Sequence, residues 1–515
     1  MKKIIAALIF SLPASAWSLT ISVYHTSDVH GWYYARPAKW DKENSTRAIG
    51  GFAALSSLVK ADKNPYILLD SGDTFQGTPE GTLTKGMATV KLMNQLGYSA
   101  CDVGNHDYDY SEPNLKALVA VSSFPWLGAN VYIKKTGKPV DYLKPYTIIE
   151  RAGKRIAVIG IAGRHTATST LPSHVKHLKF GDEALEAARW ARKVRAAEKP
   201  DAVIILAHVG LGGDVYGKAD ISTWTFAAGQ DAYGTLPIAR ASKADVVFGG
   251  HNHFGMEKGY HDPESGALLA ESLFGLTDVS KVSLNFDDAT GKFRGATAVL
   301  VPLWVDQTGE DDAVTETLKV FSAAVDKEMG KVISGSAVDL GTSADGLDSG
   351  IGNWFTDAMR RQAGTDAAFQ NTAGIRSDIK KGDVRIRDIF QVMPFENTLV
   401  KLTMTGAQIK KLMADNLRGG FSKLQISGLE VSFRQTPDGP RDINLTRNGA
   451  GIGPDEKLTI ATNNYLTTGG TGGKTFSEAE KSEDTMLPIR DLLLKDMKER
   501  PVTAAPAGGR IKRLE

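Results

Sequence analysis

Continuous apolar runs, each ending in a cluster of polar residues, mark the first half of the chain. Strand patterns occur at 19–25 and 66–70, and the continuous apolar runs at 155–162 and 202–208 are of the kind that is buried on both faces. Between them lie stretches with helical periodicity, such as 86–97, which ends at a glycine. Strands that alternate with helices predict an α/β sandwich for this half of the chain.

The pattern of apolar positions changes in the second half of the chain. A helical pattern at 350–364 is followed by strand patterns at 428–434 and 457–466, and the last of these opens into a glycine-rich loop. This mixture predicts a second α/β (α+β) domain with more antiparallel character. Residues 311–330 have helical periodicity and end at a glycine, which predicts a helix that connects the two domains.

The start of the chain has the three parts of a secretory signal peptide. Lys2 and Lys3 precede a short apolar run, and Ala14-Ser15-Ala16 forms a cleavage site, with cleavage expected after Ala16. The protein is therefore predicted to be secreted or periplasmic. The predicted organisation is a signal peptide over 1–18, a first domain over 19–308, a connecting helix over 309–330 and a second domain over 331–515.

The composition is that of an ordinary globular protein, with 42% hydrophobic and 23% charged residues. Loss of Lys2 and Lys3 with the signal peptide would leave 59 basic and 59 acidic residues, a balance that argues against a nucleic acid polymer as partner. The single cysteine, Cys101, excludes a disulfide scaffold and a thiolate metal cluster. No later apolar stretch reaches the length of a membrane span, so none is expected, and no protein partner is evident.

Five clusters of polar residues follow apolar strands of the first domain. In open α/β sheets ligands bind beyond the carboxyl ends of the strands, so clusters that are distant in sequence can meet in one site. Imidazole and carboxylate groups without cysteine suit Zn²⁺, Mn²⁺ or iron. Apart from His106, the clustered residues are seven candidate ligands, a number that suits two divalent ions about 3.5–4 Å apart that share a carboxylate. The clustered residues are Asp28, His30, Asp73, Asn105, His106, His208, His251 and His253.

The distribution of histidine also points to the first domain as the place of the chemistry. All ten histidines lie between His25 and His261. Five of them belong to the clusters. The other five are interpreted as ordinary core or surface histidines: His25, His165, His174, His177 and His261.

The ordered motifs resemble those of the calcineurin-like metallophosphoesterases, and the rest of the chain resembles their secreted 5′-nucleotidase branch. That branch includes the periplasmic UDP-sugar hydrolases and the 2′,3′-cyclic-nucleotide phosphodiesterases. In the first half the resemblance rests on YHTSDVHG (24–31), LLDSGDTFQGTP (68–79), DVGNHDYDY (102–110) and GGHNH (249–253). In the second half it rests on NTAGIR (371–376), MPFENTLVKLTMTGAQI (393–409) and NNYLTTGGTGG (463–473).

The resemblance implies two divalent metal ions, Zn²⁺, Mn²⁺ or similar, in the first domain. It implies His106 and Asp109 as the catalytic pair beside a metal-activated water that attacks phosphorus. His106 would stabilise the developing charge or protonate the leaving oxygen, and Asp109 would orient its imidazole. One ion would be held by Asp28, His30, Asp73 and His253, and the other by Asp73, Asn105, His208 and His251, with Asp73 bridging.

The resemblance places substrate recognition in the second domain. Phe395 and Tyr465 would stack on the two faces of the base. Asn371, Gly374 and Arg376 would lie near the phosphate, where a guanidinium can make two hydrogen bonds.

This sequence departs from the family pattern at three places. Thr471 stands where the family has an aspartate that contacts the ribose hydroxyls, so deoxyribonucleotides are expected to be used about as well as ribonucleotides. Thr372 and Ala373 replace two glycines of the family's NGGGIR motif. The stretch 349–353 lacks arginines that many members carry.

The implied function is hydrolysis of the phosphate esters of nucleotides, most simply of a nucleoside 5′-monophosphate to nucleoside and phosphate. Within the same family the alternatives are a 2′,3′-cyclic-nucleotide phosphodiesterase/3′-nucleotidase and a UDP-sugar hydrolase. Two remote alternatives are a thiosulfate-ester hydrolase and a non-catalytic nucleotide-binding protein. The last of these would be expected to have lost metal ligands or His106, and the sequence retains both.

Overall fold

A computed structural model of the chain describes residues 19–170, 172–211, 217–226, 234–342, 345–395, 397–470 and 472–514. The chain divides into two compact units, with the division between Lys319 and Val320. The predicted signal peptide and Thr471 lie outside the described residues. The predicted α/β class is confirmed, since both units combine helices with sheets.

The first sheet of unit 1 has four neighbouring parallel strands, followed on one side by two antiparallel strands. Leu19–Thr26 joins the two parts, because it pairs in parallel with Tyr66–Asp70 and antiparallel with Asp278–Phe286. The strand order is Phe293–Pro302, Asp278–Phe286, Leu19–Thr26, Tyr66–Asp70, Ala100–Asp102 and Trp126–Leu127.

The second sheet of unit 1 also has four parallel strands in its centre. An antiparallel strand closes each edge, and the apolar runs that the sequence indicated occupy the middle. The strand order is Tyr260–His261, Leu268–Ala270, Val246–Phe248, Ala202–Ala207, Lys154–Ile161 and Tyr146–Arg151.

The two sheets of unit 1 pack against each other through alternate residues of their strands. Ile156 and Val158 of the second sheet share one buried core with Ile67 of the first sheet. The next residue along, Ala157, faces the opposite way into a core that includes Trp190 of a covering helix. Both faces of the second sheet are therefore buried, and each aliphatic side chain of this kind contributes about 1.5–3 kcal/mol. This explains why the sequences of its strands are apolar at successive positions and do not alternate between apolar and polar residues.

Helices and shorter strand pairs complete unit 1. Asp182 caps the longest helix that lies wholly within this unit, because its carboxylate accepts a hydrogen bond from the Leu185 N–H at 3.0 Å. The helices are Phe52–Lys60, Pro79–Leu83, Met87–Leu96, Ser111–Val121, Pro172–Val175, Glu183–Glu198, Thr235–Ser242 and Val305–Thr308. The strand pairs are Arg36–Pro37 with Ala48–Ile49, Val131–Ile133 with Leu178–Phe180, and Gly217–Ala219 with Phe254–Met256.

A helix occupies the stretch between the two predicted domains. It runs from Asp312 to Met329, and the division between the units falls inside it. Asp311 precedes it and accepts a hydrogen bond from the Ala313 N–H at 2.9 Å. The helix ends just before Gly330, as the sequence pattern indicated.

Unit 2 contains a mixed five-stranded sheet and a four-stranded sheet. In the larger sheet a single pairing is parallel, between Ala367–Asn371 and Lys457–Asn463, and the others are antiparallel. The order of the larger sheet is Leu424–Ser427, Ala367–Asn371, Lys457–Asn463, Thr398–Thr405 and Lys481–Pro488. The order of the smaller sheet is Ala450–Gly451, Gly439–Arg447, Glu430–Thr436 and Ile511–Leu514.

Two cores cover the two faces of the larger sheet of unit 2. Phe369 lies in one core with Ile409 of a helix, and the neighbouring Ala368 lies in the other core with Phe355. The helices are Gly350–Ala363, Ile386–Val392, Gly406–Asn416, Asn464–Thr467 and Ile489–Glu499, and a further strand pair is Val332–Ser336 with Gly382–Arg385. Among the helices that the structure describes, none has the length and apolar character needed to span a bilayer.

Candidate metal centre

Loops at the carboxyl ends of five parallel strands bring the predicted ligands of unit 1 together. The five strands belong to both sheets, whose parallel strands end at the same side of the sandwich. The carboxylates and imidazoles form overlapping groups whose ligand atoms lie within 4.8 Å of one another. These groups are Asp28–His30–His253, Asp28–Asp73–His208 and His165–His208–His251.

The backbone at these loops is held in a conformation that side-chain-bearing residues seldom adopt. Asp28, His30, Asp73, His251 and His253 all have positive φ, between 49° and 73°. Each such residue costs on the order of 1–3 kcal/mol, so the surrounding structure has to enforce it. Five strained residues around one point indicate a site at which the side-chain directions matter more than local stability.

The first group of ligand atoms surrounds a point beside Asp28. The Nε2 atoms of His30 and His253 are 3.0 Å apart. Asp28 Oδ1 is 3.9 Å from His30 Nε2 and 3.6 Å from His253 Nε2. Ligands that are each about 2.1 Å from a shared ion lie about 3.0–4.2 Å from one another in octahedral geometry. The three side chains therefore have the spacing of ligands that share one cation.

Asp73 lies between this first group and a second set of side chains around His208. Its Oδ2 atom is 3.9 Å from His30 Nε2 and 3.1 Å from His208 Nε2. The ring of His251 packs edge-to-face on His208, with 5.3 Å between centroids. Asn105 turns its Oδ1 toward the same place, because its Nδ2 donates to the Ser169 carbonyl at 2.8 Å. One carboxylate thus faces ligands of both groups.

Hydrogen bonds on the far side of two imidazoles favour one tautomer. His30 Nδ1 donates to the Gln76 carbonyl at 2.7 Å, and His208 Nδ1 donates to the Ser71 carbonyl at 2.7 Å. With the proton on Nδ1, each Nε2 presents its lone pair to the carboxylates. This is the arrangement that metal-binding histidines adopt, so the residues present fit a divalent cation.

A buried carboxylate that was not among the predicted site residues holds two of the loops in place. Asp107 accepts hydrogen bonds from the backbone N–H groups of Asp73 and Thr74 at 3.0 Å and of Gly104 at 2.8 Å. The His106 N–H in turn donates to Asp73 Oδ1 at 2.8 Å. The aspartate that follows Asn-His in the motif is the signal that could have identified this role.

Burial keeps three of the clustered imidazoles neutral, those of His30, His251 and His253. It lowers the pKa of His30 and of His253 to about 4, with proximity to other imidazoles adding to the effect, and it takes the pKa of His251 well below its usual value. A histidine has to be neutral to bind a metal. Burial also acts on His208, but the Asp73 carboxylate outweighs it and raises the pKa of His208. A cation bound at this carboxylate would take the place of the proton that Asp73 and His208 otherwise share.

His106 and Asp109 form a hydrogen-bonded pair beside the cluster. His106 Nδ1 lies 2.7 Å from Asp109 Oδ2, and the Thr170 hydroxyl donates to the other Asp109 oxygen at 2.7 Å. Burial lowers the pKa of His106, but the carboxylates of Asp109 and Asp73 outweigh it and raise the pKa to about 10. The His106 side chain keeps 31% of its surface exposed, and its ring lies 5.4 Å from that of His30. It can therefore carry a proton at the edge of the cluster.

His165, interpreted from the sequence as an ordinary core or surface histidine, lies beside the cluster. Its ring stacks on His251 with 3.6 Å between centroids, and it belongs to one of the three groups of ligand atoms. The other four histidines lie outside these groups: His25 stacks on the core residue Phe248, His174 contacts the Tyr108 carbonyl, His177 pairs with Glu112, and His261 is exposed.

The predicted recognition residues all lie in unit 2. Phe395 and Tyr465 are each 43% exposed, which is high for aromatic side chains. The segments that carry them are joined, because Asn397 Nδ2 donates to Asn464 Oδ1 at 2.9 Å. Arg376 lies with its guanidinium carbon 5.9 Å from the Phe395 ring centroid.

The neighbouring loop of unit 2 is packed closely around its amides. Asn371 Oδ1 accepts a hydrogen bond from Asn463 Nδ2 at 2.9 Å. A Cβ on Gly374 would come within 2.7 Å of the Asn371 and Gln370 amide nitrogens, so a side chain there would have to displace these amides. Asn371, Gly374 and Arg376 thus form one compact turn after the strand Ala367–Asn371.

Two family models match the chain. The calcineurin-like phosphoesterase model matches residues 21–255, and the model of the 5′-nucleotidase C-terminal domain matches residues 331–478. The chain belongs to the family of 5′-nucleotidases that combine these two domains. The metallophosphoesterase domain also implies divalent metal ions.

Individual relatives agree with this assignment. UshA of Yersinia enterocolitica is 26% identical over 525 residues, which cover 91% of this chain and 90% of that protein. The crystal structure of a 5′-nucleotidase precursor from Thermus thermophilus is 25% identical and has a TM-score of 0.62, covering 96% of this chain and 99% of that one. The trifunctional nucleotide phosphoesterase protein YfkN of Bacillus subtilis is 26% identical over 97% of this chain. The chain spans about a third of the length of YfkN, since the match covers 35% of it.

Proposed function

We propose that this protein is an exported metal-dependent phosphohydrolase that converts nucleoside 5′-monophosphates to nucleosides and phosphate. The observation that carries the proposal is the set of overlapping ligand groups in which the Asp73 carboxylate faces both His30 and His208, next to the hydrogen-bonded pair of His106 and Asp109. The ligand groups suit a phosphate-binding cation site, and the pair supplies a group that can carry a proton.

The metal centre is proposed to hold two divalent ions, Zn²⁺, Mn²⁺ or similar. When bound, they would neutralise phosphate oxygens and make a water nucleophilic at neutral pH. Nitrogen and oxygen ligands without thiolate support these metals. Asp28, His30, Asp73 and His253 would hold one ion, and Asp73, Asn105, His208 and His251 would hold the other.

His106 is proposed to act on the reacting phosphate ester and Asp109 to act through His106. The Asp109 carboxylate at 2.7 Å fixes the ring and stabilises its charged form. An imidazolium at this place can donate a hydrogen bond to an oxygen that gains charge, or transfer its proton to the leaving oxygen. Thr170 holds the other Asp109 oxygen at 2.7 Å, so the carboxylate has little freedom to turn away.

Unit 2 is proposed to recognise the nucleoside. Phe395 and Tyr465 expose aromatic surface on two segments joined by the Asn397–Asn464 hydrogen bond, which suits stacking on a base. Asn371, Gly374 and Arg376 are proposed to bind on the phosphate side. Arg376 donates to the Ala373 carbonyl at 3.1 Å through one terminal nitrogen, and its second terminal nitrogen would serve an anion.

Export, domain limits and partners complete the proposal. Residues 1–18 are proposed as a signal peptide, 19–308 as the catalytic domain, 309–330 as the connecting helix and 331–515 as the recognition domain. The mature protein would act outside the cytoplasm on small-molecule nucleotides and not on a nucleic acid polymer, because its charges balance.

One alternative within the family has a specific observation in its favour. A relative that matches along 97% of this chain, over 35% of its own length, is named a trifunctional nucleotide phosphoesterase, so a longer protein that contains a unit of this type has more than one nucleotide activity. Hydrolysis of 2′,3′-cyclic nucleotides or of UDP-sugars is therefore the second candidate function. Both would use the same metal centre.

A substrate panel tests the proposal. Metal-depleted protein is supplied with Zn²⁺, Mn²⁺ or Co²⁺ and incubated with nucleoside 5′-monophosphates, 3′-monophosphates, 2′,3′-cyclic nucleotides and UDP-glucose. The nucleoside and nucleotide products are separated by chromatography, because opening a cyclic phosphate or cleaving a UDP-sugar releases no inorganic phosphate. We expect the highest kcat/KM with 5′-monophosphates. A higher value for a cyclic nucleotide or a UDP-sugar would support the second candidate. No hydrolysis of any nucleotide with any of the three metals would refute both.

A further inference from the structure

The unexpected neighbour of the metal centre is His165. It follows the strand Lys154–Ile161, a sixth strand end that reaches the same site, and it lies in the single turn Arg164–Ala167. Its ring stacks on that of His251, with 3.6 Å between centroids and 22° between planes, and it lies 5.9 Å from the ring of His208. Two imidazoles stacked at this distance put their ring nitrogens side by side.

A ring nitrogen of His165 points at another predicted ligand. His165 Nε2 is 3.2 Å from Asn105 Oδ1. The orientation of that amide is set independently, because Asn105 Nδ2 donates to the Ser169 carbonyl at 2.8 Å. The Thr168 and Ser169 N–H groups both donate to the His165 carbonyl at 2.8 Å. One turn therefore fixes the backbone of His165 and the amide of Asn105 together.

The space for the His165 ring is made by a glycine. A Cβ on Gly163 would lie 2.1 Å from His165 Cε1, 2.4 Å from His165 Nδ1 and 2.6 Å from the His208 carbonyl oxygen. The φ of Gly163 is −68°, which any residue can adopt, so glycine is required for room and not for its backbone freedom. The next residue, Arg164, is anchored by its N–H to Glu183 at 2.6 Å. The surroundings thus hold the ring against the site.

We propose that His165 is a further nitrogen ligand of the ion assigned to Asn105, His208 and His251. This rests on the metal centre proposed above and adds to it a residue outside the motifs. The separation of 3.2 Å between His165 Nε2 and Asn105 Oδ1 is that of two neighbouring ligands each about 2.1 Å from one ion. His165 also belongs to the group of ligand atoms that contains His208 and His251.

A third imidazole makes the two metal positions chemically unequal. The first position would have two nitrogen and two carboxylate ligands, whereas the second would have three nitrogen ligands beside the Asp73 and Asn105 oxygens. Imidazole-rich sites favour Zn²⁺ and Co²⁺ over Mn²⁺ and Mg²⁺. The second position is therefore expected to retain Zn²⁺ or Co²⁺ more strongly when a chelator competes.

The test replaces His165 and measures metal binding directly. Wild type, His165→Ala and Gly163→Ala are loaded with Co²⁺, and the visible ligand-field spectrum, the metal content and the affinity in chelator competition are recorded. The Gly163→Ala variant keeps the imidazole but leaves no room for it at its present position. Because the added Cβ also meets the His208 carbonyl, a change in this variant counts only beside the same change in a His165 variant. His174→Ala is the matched control, because that histidine contacts the Tyr108 carbonyl outside the ligand groups.

We expect His165→Ala to bind one of two Co²⁺ ions at least tenfold more weakly and to have a changed ligand-field spectrum. Gly163→Ala should change the Co²⁺ affinity and the spectrum in the same direction. Removal of even an outer partner of a metal ligand costs about 10–100-fold in affinity. Two ions bound with wild-type affinity and spectrum in His165→Ala would overturn the assignment. Weaker binding with an unchanged spectrum would also overturn it, because His165 would then only position Asn105. Wild type that binds no metal would instead refute the proposed centre itself.

If His165→Ala does not fold, His165→Phe, which keeps a ring but removes its nitrogens, is measured in the same way beside Gly163→Ala. Circular dichroism and thermal unfolding of each variant without metal establish which of them are folded. An unchanged Co²⁺ spectrum in folded Gly163→Ala would overturn the assignment, since its Cβ cannot coexist with the present position of the ring.

Discussion

Replacement of His106 by alanine is expected to slow hydrolysis while the metal centre stays filled. The side chain contacts Asp109 at 2.7 Å and belongs to none of the ligand groups. Its backbone N–H donates to Asp73 Oδ1, and this bond survives the substitution. The change therefore removes a proton carrier without removing a ligand.

The size of the effect follows from the role. A positioned acid–base group contributes about 10²–10⁴ in rate, which corresponds to about 3–5 kcal/mol at 1.36 kcal/mol per tenfold change. Asp109→Asn keeps the ring but removes the charged partner, and a hydrogen bond to a charged group contributes about 1.5–3 kcal/mol. Asp109→Asn is therefore expected to lose about 10–100-fold. The double variant should be no slower than His106→Ala, because Asp109 acts through His106.

The assay measures kcat for a nucleoside 5′-monophosphate and for p-nitrophenyl phosphate, with metal content determined in the same preparations. A nitrophenolate leaves without being protonated, so a smaller loss with this ester would mean that His106 protonates the leaving oxygen. An equal loss would mean that it stabilises charge on the phosphate. His174→Ala should match wild type throughout. Unchanged turnover in His106→Ala, or a loss that merely tracks lost metal, would refute the reasoning.

Three further predictions concern the shared carboxylate, the aromatic pair and pH. Asp73→Asn should lose metal as well as rate, because its Oδ2 faces ligands of both groups; two ions retained at wild-type affinity would contradict this. Phe395→Ala and Tyr465→Ala should each weaken nucleotide use by about 1–3 kcal/mol in kcat/KM while sparing p-nitrophenyl phosphate, and equal losses on both substrates would place recognition elsewhere. Burial raises the pKa of Asp70 to about 7, above the unfolded value of about 3.9, so the folded state holds the carboxyl proton more tightly. The free energy of unfolding therefore falls as the pH rises from about 3.9 to about 7. Asp70→Asn should therefore reduce the loss of unfolding free energy between pH 5 and pH 8 by about 3 kcal/mol, and an unchanged loss in urea unfolding would oppose the assignment.

The strand ends could be predicted because each depends on a short stretch of sequence. A run such as 202–207 is apolar at every position, and only a strand covered on both faces suits it. Once the strands are parallel, their carboxyl ends share one side, and His208 and Asp73 approach to 3.1 Å although they are far apart in sequence. The helix between the domains was predictable for the same reason, since its apolar spacing is local.

The position of His165 beside the cluster could not be predicted because it depends on contacts between distant segments. The residue stands four positions after the end of its strand, within no recognisable motif. Its ring reaches the site only because Gly163 leaves room and because the turn at Ser169 binds the amide of Asn105. The role of Asp107 was also not predictable, because its carboxylate binds the backbone N–H groups of Asp73 and Thr74 in another loop. The spacing of residues along the sequence does not show how close two such loops lie.

The pKa values of the imidazoles differ within the cluster in a way that would suit both cation binding and proton transfer. His30 and His253 are buried close to each other, and burial lowers the pKa of each to about 4, so neither competes for a proton at neutral pH. His106 lies a few ångströms away, but Asp109 is hydrogen-bonded to its Nδ1 and, with Asp73, raises its pKa to about 10. Bound divalent cations would oppose this rise by repelling the imidazolium. The separate carboxylate of Asp109 is therefore what would allow His106 to keep a proton near the metals, and a metal-loaded Asp109→Asn enzyme should lose activity at a lower pH than wild type.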